Sequence, residues 1–293
     1  MNGQRAADEG KHDHEQRIRR LTEIKEDPQT HILILQAPID GRPTRINPTD
    51  AVRAVLPKYP VEEHPWLIDP GGIGLPADSI GFFPMLAESI TSQTRELLAR
   101  RAGGTSITCL SVFALAPVPL LVHFGHLLGD MEQVDLYQRH RDTQDWTWKE
   151  EEATDVFYEV LKPDAPSSGL SEVALLLSVS ETVNQNRVAK TLGCEPQFYE
   201  IRARDPNRDF LRSRKRLELF EYEVRKLLFE LRDSHAHECA IHLFAAVPAP
   251  MAIAFGRCIK DFDAPFQLYE YRKNDRSFIS ALTINSRQRR RHD

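Results

Sequence analysis

Two short stretches of the chain carry side chains suited to holding a nucleotide. Tyr137-Gln-Arg-His-Arg-Asp-Thr-Gln-Asp-Trp146-Thr-Trp148-Lys149 interleaves aromatic planes with cations. Bases stack on aromatic faces for about 1–3 kcal/mol each, and guanidinium or ammonium groups meet phosphate. Tyr137, Arg139, Trp146 and Trp148 are the candidates here. Trp146 and Trp148 stand two apart and face opposite ways on an extended chain, so one of them, preferably Trp148, is expected at a ligand. The structural alternative packs both as core or rim aromatics. The second stretch, Ser178-Val-Ser180-Glu-Thr182-Val-Asn184, offers hydroxyl and amide groups to a phosphate or a base edge. Ser180 or Thr182 equally suits the N-cap of a helix over Val183–Leu192. Gln36-Ala-Pro38 holds the corresponding place upstream.

The sequence lacks the patterns of the common catalysts. It has no GxSxG elbow, no HExxH and no compact acidic cluster followed by Lys. Asp69-Pro-Gly-Gly-Ile-Gly74 has neither the GxGxxG spacing nor the Lys-Ser/Thr of a phosphate-binding loop, and reads as a turn or a lid. His235-Ala-His237-Glu-Cys239 finds no second ligand pair, so no metal is assigned. Glu150–Glu152 and the basic Arg287–Arg291 tail read as solvated charge. No catalytic residue and no cofactor is assigned.

Composition narrows the partners. A net charge of -5 and a pI near 6.1 do not suit a protein that coats long nucleic acid through phosphate contacts. The start of the chain lacks the apolar stretch of a secretory leader. The apolar stretch Val112–Leu128 contains Pro117, Pro119 and His123 and is too short to span a membrane. Four cysteines without a CxxC pair fit a reducing compartment, so the expected location is cytoplasmic.

The elements that must position these residues are written twice. Phe113-Ala-Leu-Ala116-Pro117-Val-Pro-Leu-Leu-Val-His-Phe-Gly125 aligns without a gap to Phe244-Ala-Ala-Val247-Pro248-Ala-Pro-Met-Ala-Ile-Ala-Phe-Gly256. Leu136-Tyr137 meets Leu268-Tyr269, and Leu97-Leu98 meets Leu227-Leu228. A duplicated lobe is the economical explanation. Apolar residues at helical spacing predict helices from Phe82 to near Gly103 and from Phe210 to Arg232. Nearly continuous apolar runs predict parallel strands at His31–Gln36, Ile107–Leu115, Val134–Arg139, Val173–Ser180, Cys239–Ala246 and Phe266–Tyr271. Pro119 and Pro250 sit where a first helical turn needs no N–H. The fold class is therefore α/β, with two fused Rossmann-like lobes of parallel sheet related by a pseudo-two-fold axis. The first lobe is placed at residues 31–165 and the second at 166–285, between charged tails at 1–30 and 286–293, with Lys162–Gly169 as the linker.

Ligands of open parallel sheets bind beyond the carboxyl ends of the strands, beside helix N-termini. Ala116, Pro117, Val247 and Pro248 lie at that edge, as do Gln36, Pro38, Ser178, Ser180 and Thr182. Two such edges side by side make a bowl suited to a ring of phosphates; setting a tight strand-to-helix junction is the plainer role for these turns.

At the two proline turns, with Trp146-Thr-Trp148 and Leu177-Ser-Val-Ser180, the sequence resembles SAVED domains across nearly everything between His31 and Asn285. These domains are sensors of bacterial anti-phage defence in cyclic-oligonucleotide-based systems (CBASS) and some type III CRISPR systems, and look like two fused CARF-type lobes. The resemblance implies a cyclic di- or trinucleotide bound across both lobes, and self-association on binding. It also implies an effector, fused or separate; none is expected within the short charged stretch before the first strand. A ring nuclease that cleaves its bound nucleotide is the enzymatic alternative, and a dinucleotide-cofactor enzyme suffers from the missing glycine fingerprint.

Overall fold

In the computed structural model the described residues are 28–71, 79, 81–100, 109–150, 157–163, 172–234 and 240–284. They form two sheets with helices between them. The first sheet contains β1 (Gln29–Gln36), β2 (Tyr59–Pro60), β3 (Trp66–Ile68), β4 (Leu110–Leu115) and β5 (Val134–Tyr137). Its order is β2-β1-β4-β5, with β3 also on β1, and every pairing is parallel. The second sheet contains β6 (Tyr158–Leu161), β7 (Val173–Ser178), β8 (Gln197–Ala203), β9 (Ile241–Ala246), β10 (Phe266–Arg272) and β11 (Ser277–Ile284), in the order β11-β10-β9-β7-β8-β6.

The second sheet is mixed, a departure from the parallel sheet expected of it. β6 runs antiparallel to β8, and β11 antiparallel to β10. The tight turn after Arg272 returns the chain at once, and only an antiparallel neighbour can be joined that way. β6 precedes the expected linker at Lys162–Gly169, yet already belongs to the second sheet, so the chain has crossed between sheets by Tyr158.

The helices are α1 (Pro48–Ala54), α2 (Phe82–Arg100), α3 (Val118–Leu128), α4 (Gln185–Leu192), α5 (Arg214–Ser234) and α6 (Ala249–Cys258). Pro117 and Pro248 are the N-caps of α3 and α6, with Pro119 and Pro250 in their first turns. α4 starts later than expected, because Asn184 caps it by accepting from the Arg187 N–H at 3.0 Å; Ser180 and Thr182 are not the cap. α5 begins at Arg214, although Phe210 and Leu211 just before it are buried. The apolar spacing thus runs past the helix that it marks.

Strand periodicity divides the core into three clusters. Leu33 and Leu35 of β1, and Val173, Leu175 and Leu177 of β7, face one large cluster shared by both sheets. Ile32 and Ile34 face a smaller cluster on the outside of the first sheet, while Ala174 and Leu176 face one outside the second. Helices α3 and α6 are buried nearly all round at the centre of the shared cluster. They cross where Gly125 and Gly256 leave no room for a side chain. A Cβ on Gly125 would lie 2.1 Å from the Ile253 carbonyl oxygen, and one on Gly256 would lie 2.0 Å from that of Val122. The ungapped repeat pairs Gly125 with Gly256 and Val122 with Ile253, so the two contacts exchange under the pseudo-two-fold.

The lobes also repeat an aromatic stack. Phe113 lies flat on Tyr137 at 4.4 Å between centroids and meets Trp146 edge-on at 5.2 Å. Phe244 lies flat on Tyr269 at 4.2 Å and meets Phe278 edge-on at 4.9 Å.

Candidate functional site

A cavity of about 800 Å³ opens at the carboxyl edge of the sheets, walled by both lobes. Small-molecule sites span roughly 300–1,000 Å³, and this volume lies in the upper part of that range. The first lobe supplies Pro38, Ile39, Asp40 and Arg42 from the loop after β1, Phe82 and Phe83 from the start of α2, and Pro117 at the start of α3. The second supplies Glu270 to Arg272 from the end of β10, the turn Lys273 to Asp275, and Ile279 of β11. The Lys273 Nζ lies 3.2 Å from Asp40 Oδ2, tying the hairpin to the first lobe. Tyr271 is braced from outside by Arg187 of α4, which donates to its hydroxyl at 3.0 Å.

The electrostatics centre on Glu270. Its carboxylate accepts the Val118 N–H at the start of α3. Burial, and secondly the negative charge of Asp40, push its pKa up to about 8, against the pull of Lys273 and that N–H. Its surroundings thus oppose ionisation, in a wall that also carries Arg42, Arg272 and Lys273 against Asp40 and Asp275.

Of the residues singled out in the sequence, Pro38 and Pro117 line this cavity. Gln36 stands behind the loop: its side-chain amide donates to Asp69 at 2.8 Å and accepts from the Ile46 N–H at 3.1 Å. Tyr137 and Trp146 are core rings of the aromatic stack, and Trp146 is only 1% exposed. Trp148 is half-buried, packed against both the shared core and the outer cluster of the first lobe. Arg139 lies over Trp146 and donates to Gln144. Ala116 is buried at the turn into α3, as are Val247 and Pro248 at the turn into α6. Ser178 is fully buried, its Oγ accepting from the Val183 N–H at 3.0 Å; Ser180 is half-buried and Thr182 exposed in the loop between β7 and α4. These second-lobe groups are not walls of the cavity.

Arg42, Glu270, Arg272 and Lys273 were not anticipated. The signal was present, because Tyr269-Glu-Tyr-Arg-Lys273 occupies the place in the second copy that Tyr137-Gln-Arg-His-Arg141 holds in the first. Among the described residues no cluster of three or more His, Cys, Asp or Glu could hold a metal, and no helix is long and apolar enough to cross a membrane. His235 and His237, and Gly72 to Gly74 of the glycine loop, lie outside the described residues.

The family model described as the SMODS-associated and fused to various effectors sensor domain, SAVED, matches residues 90–284. Among solved structures, the chain is similar to the Acinetobacter baumannii Cap4 SAVED/CARF-domain containing receptor with the cyclic trinucleotide 2′3′3′-cAAA. The TM-score is 0.55 at 12% identity, over 88% of this chain and 52% of that one. The same receptor with 3′3′3′-cAAA matches to the same extent. The Moraxella osloensis Cap4 SAVED/CARF-domain containing receptor matches with a TM-score of 0.50 at 14% identity, over 76% of this chain and 48% of that one. The chain thus spans about half the length of these structures, and at such identity the likeness is one of fold. No curated protein matches the chain.

Proposed function

The chain belongs to the SAVED sensor-domain family, and from that premise we propose that it is a receptor whose inter-lobe cavity binds a cyclic oligonucleotide of two or three residues. The observation that carries this reading is the cavity itself, with both lobes contributing walls and Arg42 of the first converging with Arg272 and Lys273 of the second. Guanidinium groups grip phosphate with paired N–H donors and an ammonium adds a point charge. Phe82, Phe83 and Tyr271 add aromatic surface to the same wall. Cyclic trinucleotides are bound in the similar Cap4 receptor structures, in support of this ligand class.

The role that goes with this ligand is that of a second-messenger sensor in anti-phage defence, of the CBASS or type III CRISPR kind. Occupying a cavity that both lobes share fixes the hairpin turn against the first lobe, and that ordered surface favours self-association or activation of an effector, fused or separate. Trp148 and Ser180 then act behind the walls as supports.

Isothermal titration calorimetry with a panel of cyclic di- and trinucleotides tests the reading. At least one should bind with 1:1 stoichiometry per chain, and Arg272→Ala should weaken it at least tenfold. Silence from the whole panel would reject the proposal. Chromatography of the ligand after long incubation separates a receptor, which returns it intact, from a ring nuclease.

A further inference from the structure

Among the described residues six charged side chains line the cavity, and their balance poses a problem for any polyanion. Arg42, Arg272 and Lys273 stand against Asp40, Glu270 and Asp275, so with all six ionised the charges cancel. Glu270 is the group whose surroundings oppose ionisation. It is half-buried at the end of β10. Facing it are the Asp40 carboxylate from the loop after β1, Lys273 from the hairpin turn, and the Val118 N–H of α3. Among the described residues the other packed elements bring no titratable group to the wall: α2 offers Phe82 and Phe83, the turn into α3 offers Pro117, and β11 offers Ile279. Arg42, Arg272 and Asp275 complete the charged groups of the wall.

Resting on the reading that a cyclic oligonucleotide occupies this cavity, we infer that Glu270 meets it as a neutral carboxylic acid, one oxygen held by the Val118 N–H and its O–H donated to an acceptor on the nucleotide. Two consequences favour a phosphate ligand. The wall changes from balanced to a net charge of +1, three cations against Asp40 and Asp275. The carboxyl also becomes a donor, where an ionised one could only accept and would repel a phosphate oxygen. Glu270 is then a specificity-determining contact: it favours ligands with a hydrogen-bond acceptor at that position and makes the proton a co-ligand. Raising of the carboxyl pKa to about 8 supports the geometry.

The first test needs no ligand. Carbon-13 NMR of glutamate-labelled protein, with Glu270→Gln supplying the assignment, should show this carboxyl titrating near pH 8 rather than near its ordinary 4.5. The second uses 3′3′3′-cAAA and the other members of the cyclic panel as probes. Wild-type affinity should fall about tenfold between pH 7 and pH 9, with net proton uptake on binding near pH 9, while Glu270→Gln should show a flat profile over that interval. An ordinary carboxyl titration, or equal wild-type affinity at pH 7 and pH 9, overturns the inference and leaves the receptor reading standing. If no member of the panel binds at pH 7, the receptor reading fails and this inference fails with it.

Discussion

The two lobes share a plan and differ in the segment that leaves their third parallel strand. In the first, the chain after β5 folds back as residues 138–149 and packs on the second lobe: the Lys149 N–H donates to the Arg212 carbonyl at 3.0 Å. Asp142 pairs with Lys149 at 2.6 Å and reaches Arg212 at 3.5 Å. In the second, the chain after β10 turns sharply into β11, and the hairpin walls the cavity. The flanks differ as well. β8 pairs along the whole of β7, whereas the corresponding flank of β1 is broken into the short β2 and β3. The repeat keeps the parts that build a core, the proline-opened helices and the stacked rings. The copies diverge in the segment that leaves the third strand, which walls the cavity in the second lobe alone.

That comparison can be broken by experiment, most forcefully at the repeated stack. Trp146→Ala should destabilise the protein by about 4 kcal/mol, since it empties a fully buried ring site. Phe278→Ala, at the matching but half-buried site, should cost about half as much in urea denaturation. Equal losses would show that the two rings are not unequal versions of one part. At the helix crossing, Gly125→Ala and Gly256→Ala should each cost about 3 kcal/mol, because a Cβ there collides with backbone that cannot rotate away. The reciprocal contacts require the two losses to be similar, and a large disparity would refute the pseudo-two-fold at this point.

A difference between the lobes should appear in acid. His123 in α3 is hydrogen-bonded to Thr91 at 2.8 Å, and burial, then the charge of His126, lowers its pKa to about 4. Its counterpart in the repeat is Ala254. The unfolded chain, where this imidazole titrates near 6.5, binds more protons between those values. Stability should therefore fall by up to about 3 kcal/mol as pH drops from 6.5 towards 4, and be constant in this respect above 6.5. Thermal melts of His123→Ala should lose that dependence. The smallest stability effect belongs to Lys273→Ala, whose ion pair with Asp40 is exposed and worth no more than about 1 kcal/mol. Its ligand affinity should nonetheless drop about tenfold, through loss of a charged contact to phosphate.

The sequence made the framework legible because the framework is repetitive. An ungapped match around Gly125 and Gly256 exposes the duplication, and continuous apolar runs mark strands covered on both faces. Strands β6 and β11 escaped because alternation in Tyr158–Leu161 and Ser277–Ile284 is too short or too mixed to separate an edge strand from a loop. The site was harder for a related reason. Trp146 and Tyr137 carry the residue types of a nucleotide platform, and the same types make a good buried stack; composition cannot tell the two apart. Pro38 and Pro117, which line the cavity, were singled out through the geometry of strand ends, a feature of fold. Glu270 could not be found by type, since its shift comes from burial and then from Asp40, more than two hundred residues away in the chain and adjacent in space.

The crossing of α3 and α6 at two glycines carries one more consequence. A pair of identical chains meeting at such a crossing would receive every substitution twice, once on each side of the axis, and could line its cavity only with matched walls. With both halves on a single polypeptide, a change to one wall arrives alone. The two halves are accordingly unlike: one brings Asp40, Arg42 and the rings of Phe82 and Phe83 to the cavity, the other Glu270, Arg272 and Lys273, an unmatched pair of walls that no two-fold of identical chains could build.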